Sequence, residues 1–201
     1  MTRVSVIDYG VGNMFSMKNA LQRAGLDAQI VKTPEGVMKA DGIILPGVGN
    51  FGAAAKLLSP LAEPIKEAVT NGTPILGSCL GMQLLFEKSE EAEGTGLGLL
   101  KGWIREFKTD LKVPHMGWNS AIATRESPIL EGLYDEPYFY FVHSFYPDPD
   151  NSEDSLAKTD YSLEFTSIVE RNNVYGTQFH PEKSGKAGAK LLSNFAGLLR
   201  R

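Results

Sequence analysis

The sequence predicts an α/β fold: a mostly parallel central sheet flanked by helices, with an antiparallel extension. Three observations carry this expectation. Short apolar runs alternate with helical patterns through the first half of the 201 residues, as in a sheet covered on both faces. The second half is rich in β-branched and aromatic segments between turn signals. A helix-period segment closes the chain.

Taken in order, Val4 to Ile7 predicts a strand, and Asn13 to Ala24 a helix stopped by Gly25. Ala28 to Val31 is a second short strand, and Ile43 to Leu45 a third that runs into Pro46-Gly47-Val48-Gly49-Asn50-Phe51-Gly52. Residues 53–58 are helical, and a further helical stretch, 61–69, follows Pro60. Ile75 and Leu76 form another strand, followed by Gly77-Ser78-Cys79-Leu80-Gly81 and a helix over 82–87. Residues 95–107, 137–146, 156–161, 167–172 and 174–180 read as strands. Ser184 to Leu199 reads as the last helix, with Ala187, Leu191, Phe195 and Leu198 on one face. Ser184 is its expected N-cap, and Arg200 and Arg201 sit at its negative end.

Composition excludes several function classes. Twenty Lys and Arg against 24 Asp and Glu give a net charge of −4, so no cationic surface is expected for nucleic acid. The single cysteine, Cys79, excludes an internal disulfide framework and a multi-cysteine metal cage. His115, His143 and His180 have no i,i+4 spacing, so neither a metal nor a cofactor is expected. The N-terminus turns polar too soon for a signal peptide, and no apolar stretch approaches the ~20 residues of a membrane helix. The cytosol is the expected location. With no repeat, linker or low-complexity tract, residues 1–201 are expected to form one domain.

The cysteine turn carries the chemistry. Glycine two residues either side of Cys79, between a strand and a helix, is the pattern of a nucleophile elbow. Small residues suit the crowded turn, and free helix N–H groups favour an anion there. A buried structural cysteine does not need that setting. A nucleophile needs a base, and His180, 101 residues downstream, is the best candidate. Pro181 biases it to extended backbone. Residues two apart on an extended segment point the same way, so Glu182 is placed to orient the imidazole.

Gly47, Gly49 and Gly52 satisfy G-x-G-x-x-G, which raises a dinucleotide site as a rival. Two features weigh against it: the loop follows the third strand rather than the first, and Pro46 intrudes. If the strand at 43–45 lies beside that at 75–76, the loop faces Cys79. Its backbone N–H, with that of Leu80, would then form an oxyanion hole. A turn that merely needs glycine remains the competing explanation.

The motifs G-x-C-x-G-M-Q-L-L and F-H-P-E resemble those of the class I, triad-type glutamine amidotransferases, and the resemblance covers the whole chain. I-D-Y-G-V-G-N, P-H-M-G-W-N and F-Y-F-V-H-S-F-Y are similar to the glutaminase subunits of imidazole glycerol phosphate synthases. The resemblance implies a Rossmann-like fold and hydrolysis of L-glutamine to glutamate and ammonia through a cysteinyl thioester. Cys79 would be the nucleophile, His180 the base and later the acid, and Glu182 its orienting group. Val48 and Leu80 would supply oxyanion N–H groups, while Gly49, Gln83, Glu91, Ser144 and Phe145 would hold glutamine. Ser78 departs from the branched aliphatic residue usual in its place. A (β/α)8-barrel cyclase is the implied partner, forming a heterodimer that receives the ammonia. Asn13, Trp118, Tyr138 and Lys183 match the family's interface positions. Core packing is an equal alternative for Trp118 and Tyr138, and His115 and His143 carry no assigned chemistry.

Overall fold

The computed structural model describes residues 2–134 and 136–200. Apolar residues of the early strands alternate between two buried clusters, and this places helices on both faces of one sheet. Its strands are β1 (Arg3–Ile7), β2 (Asp27–Val31), β3 (Gly42–Gly47), β4 (Ile75–Cys79), β8 (Ile122–Ala123), β11 (Ser155–Asp160), β12 (Glu164–Arg171) and β13 (Val174–Thr177). The order across the sheet is β2-β1-β3-β4-β13-β12-β11-β8. The first five run parallel and the last three antiparallel. Val4, Val6, Ile44 and Leu76 face one cluster with helices α1 (Met14–Arg23) and α5 (Gly185–Leu198). Ile7, Ile43, Leu45 and Ile75 face the other with α3 (Phe51–Thr70).

Most predicted strands and the first and last helices lie within a few residues of their observed positions, but the one strand expected over 137–146 is two, Tyr138–His143 and Phe145–Pro149, in different sheets. Asn13 caps α1, its side chain accepting from the Ser16 N–H at 3.1 Å. Three further expectations need correction. Residues 53–58 and 61–69 belong to one continuous helix, α3, which passes through Pro60 and Pro64. Proline costs about 3 kcal/mol inside a helix. Here the Ser59 hydroxyl donates to the Lys56 carbonyl at 2.8 Å, the acceptor that Pro60 leaves without its helical N–H. Burial of Phe51, Leu58, Leu61, Ile65 and Val69, roughly 1.5–3 kcal/mol each, outweighs the rest.

The helix expected over 82–87 is instead α4 (Leu80–Gln83), followed by strand β5 (Phe86–Ser89). The carbonyls of Leu84 and Leu85 accept from the Leu97 and Leu100 N–H groups at 2.7 and 3.0 Å. Tertiary pairing thus overrides helix propensity, and Leu84, Leu85 and Phe86 are all fully buried. At α5, Ser184 holds the N-cap position without a capping bond from its side chain. Arg200 reaches back to the Gly25 carbonyl at 3.1 Å, and Arg201 lies outside the described residues.

Several elements carried no sequence expectation: α2 (Pro34–Met38), β7 (His115–Ser120) and β8. Strand β7 pairs antiparallel with β9 (Tyr138–His143) as a separate ribbon. Strands β5, β6 (Leu100–Glu106) and β10 (Phe145–Pro149) make a third small sheet. Among the described residues no helix is long and apolar enough to cross a membrane.

Candidate active site

Parallel pairing of β3 with β4 puts Gly47 opposite Cys79. The loops after both strands therefore meet where parallel strands of such a sheet present their C-terminal ends. Cys79 ends β4 with φ 53° and ψ −115°, a backbone that L-residues rarely adopt. The elbow is tight because backbones press on both flanking glycines. A Cβ at Gly77 would lie 2.6 Å from the Met82 Cα, and one at Gly81 would lie 1.6 Å from the Leu45 carbonyl oxygen. Ser78 lies buried behind the turn, its hydroxyl 3.5 Å from the Phe179 carbonyl.

The sulfur sits at the edge of a cleft of about 370 Å³. Its lining brings Val48, Gly49, Cys79, Leu80, Gln83 and Glu91 together with Val142, His143, Ser144 and Phe145. All seven expected oxyanion and glutamine-holding residues thus lie around one cavity with the cysteine. A larger and more open hollow, about 880 Å³, lies around residues 121–128 and includes none of the expected site residues.

His180 reaches the site from the end of the β13 segment. Its Nδ1 is 3.0 Å from the Glu182 Oε1, and both side chains are almost fully buried. The contact is made by a 3-10 turn over Pro181–Lys183, not by the extended spacing expected from sequence. Nε2 and the Glu182 Oε2 have no hydrogen-bond partner. Burial opposes a charge on His180, but the neighbouring Cys79 and Glu182 outweigh it and raise its pKa to about 9. A raised histidine pKa stabilises the fold fully below its unfolded value near 6.5, and that stabilisation fades as pH rises through about 9. Glu182→Gln removes one of the raising groups. NMR titration should then find His180 deprotonating at lower pH, and the fold's stability should fall earlier on the alkaline side. An unmoved titration would show that Cys79 alone sets it.

Three residues to which the sequence reading gave no place in the site complete the surroundings. Gln178 is fully buried and donates from Nε2 toward the Cys79 sulfur at 3.8 Å. Its Oε1 accepts from the Gln83 Nε2 at 3.2 Å. Gln178 stands two residues before His180 in the run 174–180 that reads as a strand, and the alternation of such a run puts it on the His180 side; that signal could have found it. Ser184 does not cap α5. Its hydroxyl donates to the His180 carbonyl at 2.6 Å and accepts from the Tyr140 N–H at 3.0 Å. The His180 N–H donates to the Tyr140 carbonyl at 3.0 Å, so the turn is pinned to β9. Tyr9, from the first glycine-rich motif, donates to the Pro46 carbonyl at 2.8 Å and braces the loop. Burial raises its phenol well above the usual range.

The loop's G-x-G-x-x-G pattern gives way to a protein contact. The Phe51 N–H, at the start of α3, donates to the Glu91 Oε2 at 2.7 Å. A carboxylate therefore occupies the helix end where a dinucleotide phosphate would sit, and it would repel one. Of the expected interface residues, Trp118 and Tyr138 are more than half exposed, and Asn13 and Lys183 are exposed too. Core packing is thereby excluded for the two aromatics. Trp118 and Tyr140 are opposite each other in the β7–β9 pairing, as are Ser120 and Tyr138, so these side chains share the ribbon's outer face with Met116.

A family model described as "Glutamine amidotransferase class-I" matches residues 5–197. The chain is 48% identical over 198 residues to "Imidazole glycerol phosphate synthase subunit HisH" of Methanocaldococcus jannaschii, covering 98% of this chain and 100% of that one. It is 46% identical to the protein of the same name in Methanothermobacter thermautotrophicus, covering 98% and 99%. Among solved structures, it superposes on PurLQS from Thermotoga maritima with a TM-score of 0.81 at 21% identity, covering 98% and 99%. For the glutaminase domain of Trypanosoma brucei CTPS with bound acivicin, the TM-score is 0.69 at 19% identity, covering 98% and 92%.

Proposed function

This chain belongs to the class-I glutamine amidotransferase family, and from that footing we propose that it is the glutaminase subunit of an imidazole glycerol phosphate synthase. The observation that carries the reading is the convergence of Cys79, the His180–Glu182 pair and a cleft of about 370 Å³ at one strand end. Cys79 attacks the carboxamide carbon of L-glutamine, and the Leu80 and Val48 N–H groups receive the oxyanion. His180, held by Glu182 and raised in pKa beside Cys79, already holds the proton the thiol gives up, and it passes that proton to the departing nitrogen, which leaves as ammonia. Water, deprotonated by His180, then attacks the thioester, and glutamate is released.

The side chains around the cleft divide the work by their free atoms. Gln83 donates through Nε2 to the Phe145 carbonyl at 3.2 Å and to Gln178. Its amide oxygen is thus the atom left to accept from the substrate. Glu91 commits one oxygen to Phe51 and directs its charge to the substrate ammonium. Neither a metal nor a cofactor enters these steps.

The ammonia passes to a separate cyclase subunit, a (β/α)8 barrel, in a heterodimer. The exposed apolar face of Met116, Trp118 and Tyr138 supports this docking place, since aromatic residues and methionine favour interface cores. Glutamate release is measured for the chain alone and for the chain with a cyclase subunit and its nucleotide ligand. A large rise with both supports the reading, and no release in either case overturns it. Lys183 adjoins Glu182, so a partner carboxylate bound to it would transmit occupancy to the triad. Lys183→Ala is expected to abolish the rise caused by the cyclase ligand while Cys79 alkylation proceeds as before. Undiminished stimulation would refute that link.

A further inference from the structure

His115 and His143 lie outside the triad, yet both are buried and joined to each other. They are opposite one another in the β7–β9 pairing, with His115 Nδ1 2.9 Å from His143 Nε2. The His143 Nδ1 is 2.8 Å from the Phe145 carbonyl. At the other end, the Asn119 Nδ2 is 3.3 Å from the His115 Nε2. Asn119 is itself anchored by donation to the Asp160 carbonyl at 2.9 Å.

The direction of every bond follows from the last acceptor. A carbonyl only accepts, so His143 carries its proton on Nδ1. Its Nε2 is then an acceptor, which puts the His115 proton on Nδ1 as well. His115 Nε2 is left to accept from the Asn119 amide. A proton added to His143 would set two N–H groups against each other. The rings sit among Phe107, Phe141, Tyr161 and Phe165, with His115 stacked on Phe141 and Tyr161. That setting keeps both neutral: burial lowers His115 to about 4 and His143 to about 3.

We propose that Asn119, His115 and His143 form a one-way hydrogen-bond chain that positions the glutamine-binding wall at Ser144 and Phe145. The Phe145 carbonyl that ends the chain also accepts from Gln83, and His143, Ser144, Phe145 and Gln83 all line the cleft. His115 and His143 are therefore positioning residues that act through Phe145, and no proton passes along them in catalysis. The two histidines hold the carbonyl of one cleft-lining residue at one place.

The proposal rests on the glutaminase reading, so the tests separate the two. Wild-type glutamate release with the cyclase subunit tests that reading. Nitrogen-15 NMR of the wild-type chain tests the tautomers without any assay. Both rings should be neutral with protons on Nδ1 at neutral pH. A His143 proton on Nε2, or an imidazolium on either ring, would overturn the chain. In the complex, His143→Asn keeps an N–H where Nδ1 faces Phe145, whereas His143→Gln keeps an amide only where Nε2 faces His115. Loss of one such bond is expected to raise the glutamine KM about tenfold in His143→Gln. The kcat and the rate of Cys79 alkylation should stay near wild type, and His143→Asn should recover most of the KM. Equal KM values in the two variants, or a loss confined to kcat, would refute positioning through Phe145.

Discussion

Cys79→Gly will release glutamate from glutamine at least ~10,000-fold more slowly than wild type, and it will unfold at a higher temperature than Cys79→Ala. The first half follows from removing the proposed nucleophile beside the His180–Glu182 pair. The second follows from the backbone. Cys79 holds φ 53° and ψ −115°, and a non-glycine residue in such a region costs on the order of 1–3 kcal/mol. Alanine inherits that strain and glycine relieves it. Glycine's greater loss of backbone freedom returns roughly 0.5–1 kcal/mol of the gain. The net difference amounts to a few degrees in Tm for a chain of this size. Thermal unfolding of the two inactive variants decides the matter. A lower Tm for the glycine variant would mean that the elbow is not strained, and that its shape is no device for presenting the sulfur. The comparison also separates activity from folding, since one of the two dead proteins is expected to be the more stable.

The elbow was legible because its cause is local. Two glycines around a cysteine, between a strand and a helix, describe a tight turn whichever way the chain folds elsewhere. The His180–Glu182 contact was legible for a related reason, although a 3-10 turn rather than extended backbone delivers it. The parallel sheet could be read because strand and helix patterns repeat, and its two covered faces show in consecutive apolar residues such as Ile43 and Ile44. The losses lie where distant partners decide. The Leu84 and Leu85 carbonyls end a promising helix because Leu97 and Leu100 donate to them. Ser184 looks like a cap, but Tyr140, 44 residues away, claims its hydroxyl. Gln178 becomes part of the site only once Cys79, 99 residues earlier, is brought to it. The His115–His143 pair needs the register of a ribbon for which only one strand was expected. Tyr138 shows a further loss, because the aromatic-rich strand read over 137–146 does not say which of its faces meets water, and Trp118 lies on the partner strand that was not expected.

Gly81→Ala should be the most damaging single methyl in the protein's active region. Its Cβ would lie 1.6 Å from the Leu45 carbonyl oxygen and 2.6 Å from the carbon. Both atoms are backbone within a central strand, so no rotamer change relieves the clash. Strand β3 and the start of α4 must separate, which weakens the pairing that sets Gly47 opposite Cys79. Overpacking of ordinary side chains costs about 1–3 kcal/mol. A backbone-to-backbone clash should exceed that range, lowering Tm by roughly ten degrees along with nearly all glutaminase activity. Gly197→Ala is the matched control. It lies exposed within α5 with nothing within 4 Å of the added methyl, so it should raise stability by about 0.5–1 kcal/mol. The contrast isolates contact from any general effect of replacing glycine. If Gly81→Ala folded and turned over as wild type does, the two strand ends could not be so closely apposed. The Val48 N–H would then lie too far from the Leu80 N–H for both to reach one oxyanion.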